Sequence, residues 1–466
     1  MRVPRGFKKR AVLAISAAFL AVGLGLLDGV DYSPYFQQAC FQRTQERWLQ
    51  TSADFSVVDG PLEAGFGRAQ LTPSQESGAS GSPGRFASVP LAGYGARKGR
   101  PAESVHDDVW VKAVALRVSG RVGVIVGVEA LIVPEEIAHA SLARLSREHS
   151  LSREQIYFGA THTHSSLGGW GQGWVAEQFA GPFTLGVREW FVDRIEAAVR
   201  EALKDLQPAQ FGHGSVAAPQ FVRNRLVGNL GTVDPDFQFL AFRQQSGRMG
   251  LVGSYAAHAT VLPSRFMKFS GDYPGVWCRE VESATRGFAM FLAGSVGSHA
   301  PVPGASDWEG AERMGKGLAR VVLDRIPSTR LTNQVRFGMT GLKVELPELH
   351  ARITDGLRLR PWAARLLVPA SPDAFLQGIR LNDAMWMGTP CDYSGELAVA
   401  WRERWRSRGV ESAITSFNGS YVGYVIPSRY YHLDGYESRT MSFFGPAVPD
   451  YFEACLRGIA DTLTRH

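Results

Sequence analysis

The chain has 466 residues, 45% of them hydrophobic and 20% charged. That is long enough to bury a large core, and the balance excludes a disordered chain. The net charge of +6 sits mostly at the start: Arg2, Arg5, Lys8, Lys9 and Arg10 carry five of these charges, leaving about +1 for the rest. No Lys/Arg stripe with interleaved aromatics accompanies it, so the sequence points to no nucleic-acid partner.

The basic head runs into an uncharged apolar stretch, Ala11 to Leu27. This is the pattern of an export signal or a signal anchor. Asp28 and Asp31 follow in place of a small-x-small cleavage site. The reading is therefore an uncleaved anchor, cytoplasmic at its basic end, with an exported, extracytoplasmic body; cleavage would make the protein secreted. The expected division is a signal anchor or signal peptide over 1–30, a helical or irregular spacer rich in Gln and aromatics over 31–60, and a folded domain over 61–466. Cys40, Cys278, Cys391 and Cys455 are scattered without CxxC spacing. They form no zinc-finger pattern, and in an exported chain disulfides stay open.

The body opens with Ala64-Gly65-Phe66-Gly67-Arg68-Ala69, followed by a Ser/Gly-rich loop from Ser74 to Ser88. Val122 to Val128 reads as a strand, Pro134 to Ser150 as a helix and Ile156 to Ala160 as a second strand. A strand–helix–strand unit predicts a parallel pair and an α/β core. Val187 to Leu206 and Glu309 to Asp324 read as amphipathic helices, and Val335 to Leu346, Met385 to Met387 and Tyr421 to Ile426 as strands. No internal repeat or linker divides the body.

The chemistry-bearing motif is His162-Thr163-His164, placed where the apolar run Ile156 to Ala160 gives way to small residues. On a strand, a period of two turns both imidazoles to one side. Neutral imidazole is a common zinc ligand, and a neighbouring imidazole can move protons near pH 7. Taken alone, the pair would serve equally well to cap a strand end or bond a loop carbonyl. Other segments add partners. Val252 to Thr260 is a strand-like run containing His258, and Ser270-Gly271-Asp272-Tyr273-Pro274-Gly275 forms a turn with a buriable carboxylate. Gly388 to Glu396 ends in an acid, and Asn418 to Tyr424 and Tyr436-Glu437 supply tyrosines. Two histidines, a carboxylate and an exchangeable position make a catalytic zinc set. Read singly, Glu396 is a first-turn helix acid and Arg225 an ordinary loop ion-pair residue.

Taken in order, these motifs resemble the neutral/alkaline non-lysosomal ceramidase family, in its catalytic domain. The resemblance runs through Ala64 to Ala69, Gly93-Tyr94-Gly95, Val105-His106-Asp107-Asp108, His162 to Ser165 with Gly168-Gly169, and Asn224-Arg225. It continues through Val233-Asp234-Pro235, His258, Ser270-Gly271-Asp272, Pro274-Gly275, Gly395-Glu396, Tyr421, Tyr424 and Tyr436-Glu437. It implies one large α/β domain of mixed β-sheets flanked by helices. It also implies Zn2+ held by His162, His258, Glu396 and Tyr424, the last chosen over Tyr421. His164 would handle protons at the scissile group, while Arg225 and Tyr436 would hold or polarise the substrate.

The implied reaction is hydrolysis of the N-acyl amide of ceramide, or of a related N-acyl lipid, by zinc-activated water, giving a fatty acid and a sphingoid base in sphingolipid metabolism. The implied partners are that lipid and a membrane surface; no protein partner is indicated. The alternatives are a degenerate member that binds lipid or a partner without turnover, and a zinc hydrolase of another amide or ester.

Two departures accompany the resemblance. The family's Gly-Asp-x-Ser-Pro-Asn motif is matched by Gly297-Ser298-His299-Ala300-Pro301, and an alanine where the serine is expected excludes covalent attack from that position. The chain runs to His466, so the small C-terminal β-sandwich of many members is expected to be missing.

Overall fold

Strand alternation organises the computed structural model of the chain, which describes residues 25–53, 55–76, 84–368 and 371–465. From the amino end come β1 (Leu27–Gly29), α1 (Ala39–Ser52), β2 (Val58–Gln70), β3 (Trp110–Val118), β4 (Arg121–Val128), α2 (Glu135–His149) and β5 (Ile156–Ala160). Next are α3 (Trp174–Ala180), α4 (Leu185–Lys204), β6 (Gln207–Ala217), β7 (Asp236–Gln244), β8 (Met249–Tyr255), α5 (Asp272–Thr285), β9 (Phe288–Ala293) and α6 (Trp308–Arg325). The last third holds β10 (Gln334–Glu345), β11 (Leu357–Leu359), α7 (Pro361–Leu367), β12 (Asp373–Leu381), β13 (Ala384–Gly388), α8 (Gly395–Arg406), β14 (Glu411–Thr415) and α9 (Val448–Thr464).

Twelve strands form one mixed sheet in the order β9-β8-β7-β6-β2-β10-β12-β13-β14, with β3, β4 and β5 branching from β2. The junction is β2. Its first residues pair with β10, and the stretch from Leu62 to Gln70 pairs with β3. Odd and even positions of each strand face opposite ways. Leu116, Ile125, Leu240, Val252 and Met290 from one wing therefore meet Phe337, Ile379, Trp386 and Ala413 from the other in a core built of strand side chains. The opposite faces take helices. Val111, Val124 and Val126 pack on Ile137 of α2 and Phe191 and Ile195 of α4. Phe239, Leu251 and Phe291 pack on Trp277 of α5 and Met314 of α6. Leu342, Leu376 and Met385 pack on Trp48 of α1, Trp401 of α8 and Leu456 of α9. This is the expected α/β class, with mixed sheets between helical layers.

The strand–helix–strand unit is present, and β4 and β5 pair in parallel. The other elements expected from periodicity are present, most with ends shifted by a residue or two. Tyr421 to Ile426 is the exception. It shortens to a two-residue strand, Tyr424–Val425, because Gly419 and Gly423 take positive φ and bend the chain into loops. Within the stretch read as a spacer, α1 docks on the body through Cys40, Thr44, Trp48 and Ser52, one face repeating every four residues. Arg47 adds an ion pair to Asp373 at 2.8 Å. All four cysteines are buried and free, so no disulfide links them.

Residues 1–24, most of the run read as an anchor, lie outside the described residues, as do 77–83 of the Ser/Gly-rich loop. Among the described residues no helix is long and apolar enough to cross a membrane. The end of the apolar run is β1, which pairs antiparallel with β11.

The Gly65 and Gly67 positions in the opening motif have a packing reason. Helix α4 lies directly on β2 there, and a Cβ on Gly67 would collide with the backbone of Ala198 and Ala202. We expect Gly67→Ala to destabilise the fold by about 1–3 kcal/mol, the range for overpacking. Urea unfolding should show a lower midpoint with an unchanged slope.

Candidate metal centre

Three parallel pairs, β4 with β5, β8 with β9 and β13 with β14, direct their carboxyl ends to one edge of the sheet. In α/β folds this is where ligand-binding loops gather. β5 leads to His162 and His164, β8 to His258, β13 to Asp392, and β14 to the loop carrying Phe417, Tyr421 and Tyr424. Cross-links fix the strand ends against each other. Tyr157 Oη and Thr415 Oγ1 lie 2.6 Å apart, Ser416 N donates to Ala293 O at 3.0 Å, and Gly297 N donates to Tyr393 O at 2.8 Å.

The strand stops at Ala160, so the two imidazoles are not aligned by strand period. Instead His162 takes a left-handed backbone, φ +63°, which is uncommon for a non-glycine residue. Its N–H donates to Ala130 O at 3.0 Å and its Nδ1 to Leu131 O at 2.6 Å. With Nδ1 donating, Nε2 carries the lone pair that faces the cavity. Phe417 stacks on this ring at 4.2 Å. His258 Nε2 stands 2.9 Å from His162 Nε2 and 3.3 Å from His164 Nε2. The loop carrying His258 is held by the Tyr273 hydroxyl on Ala257 O and by the N–H of Leu262 on Asp272 Oδ2 at 3.0 Å. On the other side, the buried Arg97 guanidinium donates to the carbonyl oxygens of His164, Ser264 and Phe266.

Facing these rings is Asp392. Its Oδ1 lies 3.4 Å from His162 Nε2 and 3.7 Å from His258 Nδ1, while Oδ2 accepts the Tyr421 hydroxyl at 2.8 Å. Oδ1 is buried and has no hydrogen-bond partner. Burial pushes His162 down to about 3 and holds His164 and His258 well below the usual imidazole range. Neutral imidazole is the form that binds a metal. Burial also lifts Asp392 to about 7, against the lowering effect of the Tyr421 hydrogen bond. Neutral nitrogens packed together, with an orphaned carboxylate oxygen beside them, suit a cation. The ligand atoms of His162, His164 and His258 all lie within 4.8 Å of one another, so this trio could hold a metal ion.

The other residues singled out from sequence fall around this centre. Tyr424 sits beside Asp392 through a short parallel pairing, and its Oη accepts from Arg225 Nη2 at 3.0 Å. Arg225 Nε pairs with Glu437 Oε1 at 2.9 Å. Tyr436 stands edge-on to Tyr424, with ring centroids 5.7 Å apart. Glu396 is placed elsewhere, in the first turn of α8. There Asn224 donates to its Oε1 at 2.8 Å, Arg429 pairs with its Oε2, and the residue lies outside the cavity lining. Asp392, four residues earlier, is a carboxylate that the motifs do not single out; its signal is that it is the first acid after the apolar strand β13. Ser298 Oγ accepts from Ser394 Oγ at 2.8 Å and Gly395 N at 3.1 Å, while Ala300 pairs with Arg223 in a short ladder. Neither lines the cavity.

The centre forms the floor of a cavity of about 1140 Å³, including the space at its open mouth. Its walls include the apolar Leu131, Ile132, Trp170, Phe179 and Met441 together with Glu135, Glu136, Gln172 and Ser371, while the three imidazoles and Asp392 gather at the floor. Gly93 closes one side. It takes φ +112°, and a Cβ there would stand 2.6 Å from His164 Nδ1.

Residues 77–298 match the family model of the neutral/alkaline non-lysosomal ceramidases, N-terminal part. No curated protein matches the chain. Among solved structures, the neutral ceramidase from Pseudomonas aeruginosa aligns with a TM-score of 0.72 at 17% identity, over 87% of this chain and 75% of that one. A ceramidase complexed with C2 aligns with a TM-score of 0.69, also at 17% identity, over 86% and 75% of the two chains. At this identity the likeness is one of fold. The resemblance read from the motifs thus holds in both the family model and the architecture.

A divalent cation added to chelator-treated protein should raise the melting temperature, because a ligand held only by the folded state stabilises it, by about 2.7 kcal/mol at a hundredfold excess over Kd. Differential scanning calorimetry should show that Asp392→Ala and His258→Ala abolish this shift, while Glu396→Ala retains it.

Proposed function

We propose, for a chain with the family signature and fold of the neutral/alkaline ceramidases, that it is a zinc-dependent amidohydrolase. Its substrate is ceramide or a related N-acyl lipid, cleaved to a fatty acid and a sphingoid base. One observation carries the reading: three buried imidazoles and an orphaned carboxylate oxygen gather at the floor of a cavity with apolar side chains in its walls. An N/O donor set of this kind suits zinc. His162, His258 and Asp392 hold the ion, and Tyr424 completes the set. Asp392 thereby takes the role that the motif reading gave to Glu396. When bound, zinc polarises a carbonyl and lowers the pKa of water toward about 7.

The remaining residues orient the amide and move protons. Hydrolysis forms a C–O bond from water and breaks the C–N bond, and the departing nitrogen must gain a proton. His164 is the carrier. It reaches the floor beside His258, stays neutral through burial, and keeps an unpartnered Nδ1. Tyr436, half exposed at the cavity, donates to the carbonyl oxygen as charge develops on it. Arg225 holds the Tyr424 hydroxyl in place from behind. The apolar side chains of the walls accept the hydrocarbon chains and exclude water. No nucleophile comes from Ala300, so water is the attacking group.

The test pairs metal analysis of the purified full chain with hydrolysis of a fluorescent short-chain ceramide. We expect stoichiometric zinc in the wild type and in Glu396→Ala, and its loss in His258→Ala and Asp392→Ala. His164→Ala should keep zinc while kcat falls by roughly 10²–10⁴, the usual contribution of a general acid–base group. Gly93→Ala, which displaces the same ring, should behave likewise. Absence of zinc would sink the metal reading. Zinc without ceramide turnover would move the substrate to another amide or ester.

A further inference from the structure

We propose that the rim of the cavity built by α3 and α7 is a docking face for a phospholipid bilayer. The role of this face in delivering substrate rests on the lipid-amidase reading above; the docking itself does not.

Two short helices flank one opening. Val175, Ala176 and Phe179 of α3 line the cavity, and so does Val368, the residue directly after α7. The chain just beyond α7 is tied to the same wall, because the Ser371 hydroxyl donates to Glu135 Oε1 at 3.1 Å. These helices hold their bulkiest apolar side chains outward: Trp174 is 66% exposed, Trp362 56%, Leu366 78% and Leu367 49%. Scattered exposed leucines need no explanation, but tryptophans and leucines grouped at the mouth of a cavity do. Tryptophan settles at the level of lipid headgroups, and leucine inserts below it. Arg365, exposed on the same helix, suits the phosphates of that layer.

The position of the amino-terminal segment argues independently for the occupant. β1 and β11 pair with Leu27 opposite Leu359, and Arg360 N donates to Leu26 O at 2.8 Å. The described chain therefore begins at Gly25 against the first residues of α7. The sequence that precedes it is the uncharged run from Ala11, led by Arg2, Arg5, Lys8, Lys9 and Arg10. An apolar segment with a cationic head thus joins the body at the edge of an apolar rim. A bilayer satisfies both, and places the cavity mouth against the layer that holds an N-acyl lipid.

The eleven tryptophans make the proposal measurable, because none precedes Trp48 and only Trp174 and Trp362 are exposed. Fluorescence quenching by brominated lipid therefore reports on the body and not on the amino-terminal segment. The full chain reconstituted into phosphatidylcholine vesicles containing dibromo-phosphatidylcholine should be quenched, and Trp174→Phe/Trp362→Phe should lose most of that quenching. Equal quenching in both proteins, or none in the wild type, overturns the docking face. In a second arm, Leu366→Glu/Leu367→Glu should turn over vesicle-borne long-chain ceramide ~10-fold more slowly, while hydrolysis of a soluble short-chain ceramide stays within about twofold. An equal fall on both substrates overturns a docking role for α7. If the wild type hydrolyses neither substrate but quenching persists and is lost in the double variant, the amidase reading fails and the docking face stands.

Discussion

A carboxylate oxygen buried without a hydrogen-bond donor is an expensive arrangement, and Asp392 Oδ1 is held in one against imidazoles that burial keeps neutral. A buried, unpartnered carboxyl of this kind persists only where the surrounding structure over-determines it or a counter-charge answers it. Much of the fold serves the first condition. Three parallel strand pairs deliver their ends to one place; the strained backbones of His162 and Phe417, both with positive φ, lie in the loops that follow, and Asp272, likewise at positive φ, opens α5. Each loop is tied to a neighbour from another strand, so no ligand-bearing segment can relax alone.

The sheet accounts for how such strain is tolerated. One strand-only core and three helix-covered cores share the same strands, so the strand ends are fixed from both faces. A second charged network lies one step behind the site. Lys112 Nζ donates to Glu282 Oε1 at 2.9 Å and to Ala289 O at 2.8 Å, and stands 3.7 Å from Glu129 Oε1. Glu129 immediately precedes Ala130 and Leu131, whose carbonyls hold the backbone and ring of His162. Rigid support behind the floor and apolar side chains at the mouth divide the cavity into a part that positions and a part that admits.

Much of this was legible in the residues. His162, His164 and His258 stand out because each follows an apolar strand and brings a ligand-type side chain to its end. The alternating and helical periods placed most elements because the cores are formed by those same alternating faces. Asp392 was harder to find, because nothing local separates an acid aimed at a histidine from one that caps a turn. Glu396 carries the more recognisable Gly-Glu signature, yet Asn224 and Arg429 already occupy its oxygens, and such engagement arises only from contacts distant in sequence. The docking of α1 was hidden for a related reason. Its buried stripe of Cys40, Thr44, Trp48 and Ser52 is half polar, and the hydroxyl of Thr44 becomes comprehensible only beside Tyr451, 2.7 Å away.

The junction role of β2 carries a consequence for how the chain reaches this state. β2 is among the first segments made, yet its pairings reach forward to β6 and then to Gln334–Phe337 of β10. β3 takes one edge of Leu62–Gln70 early, but the stretch Val58–Pro61 finds its partner only when β10 has been synthesised. Pairings of such long sequence separation close slowly, and open strand edges recruit other chains while they wait. Within the large sheet, the strand that unites the two wings in the finished molecule therefore keeps part of one edge exposed while most of the molecule is being made.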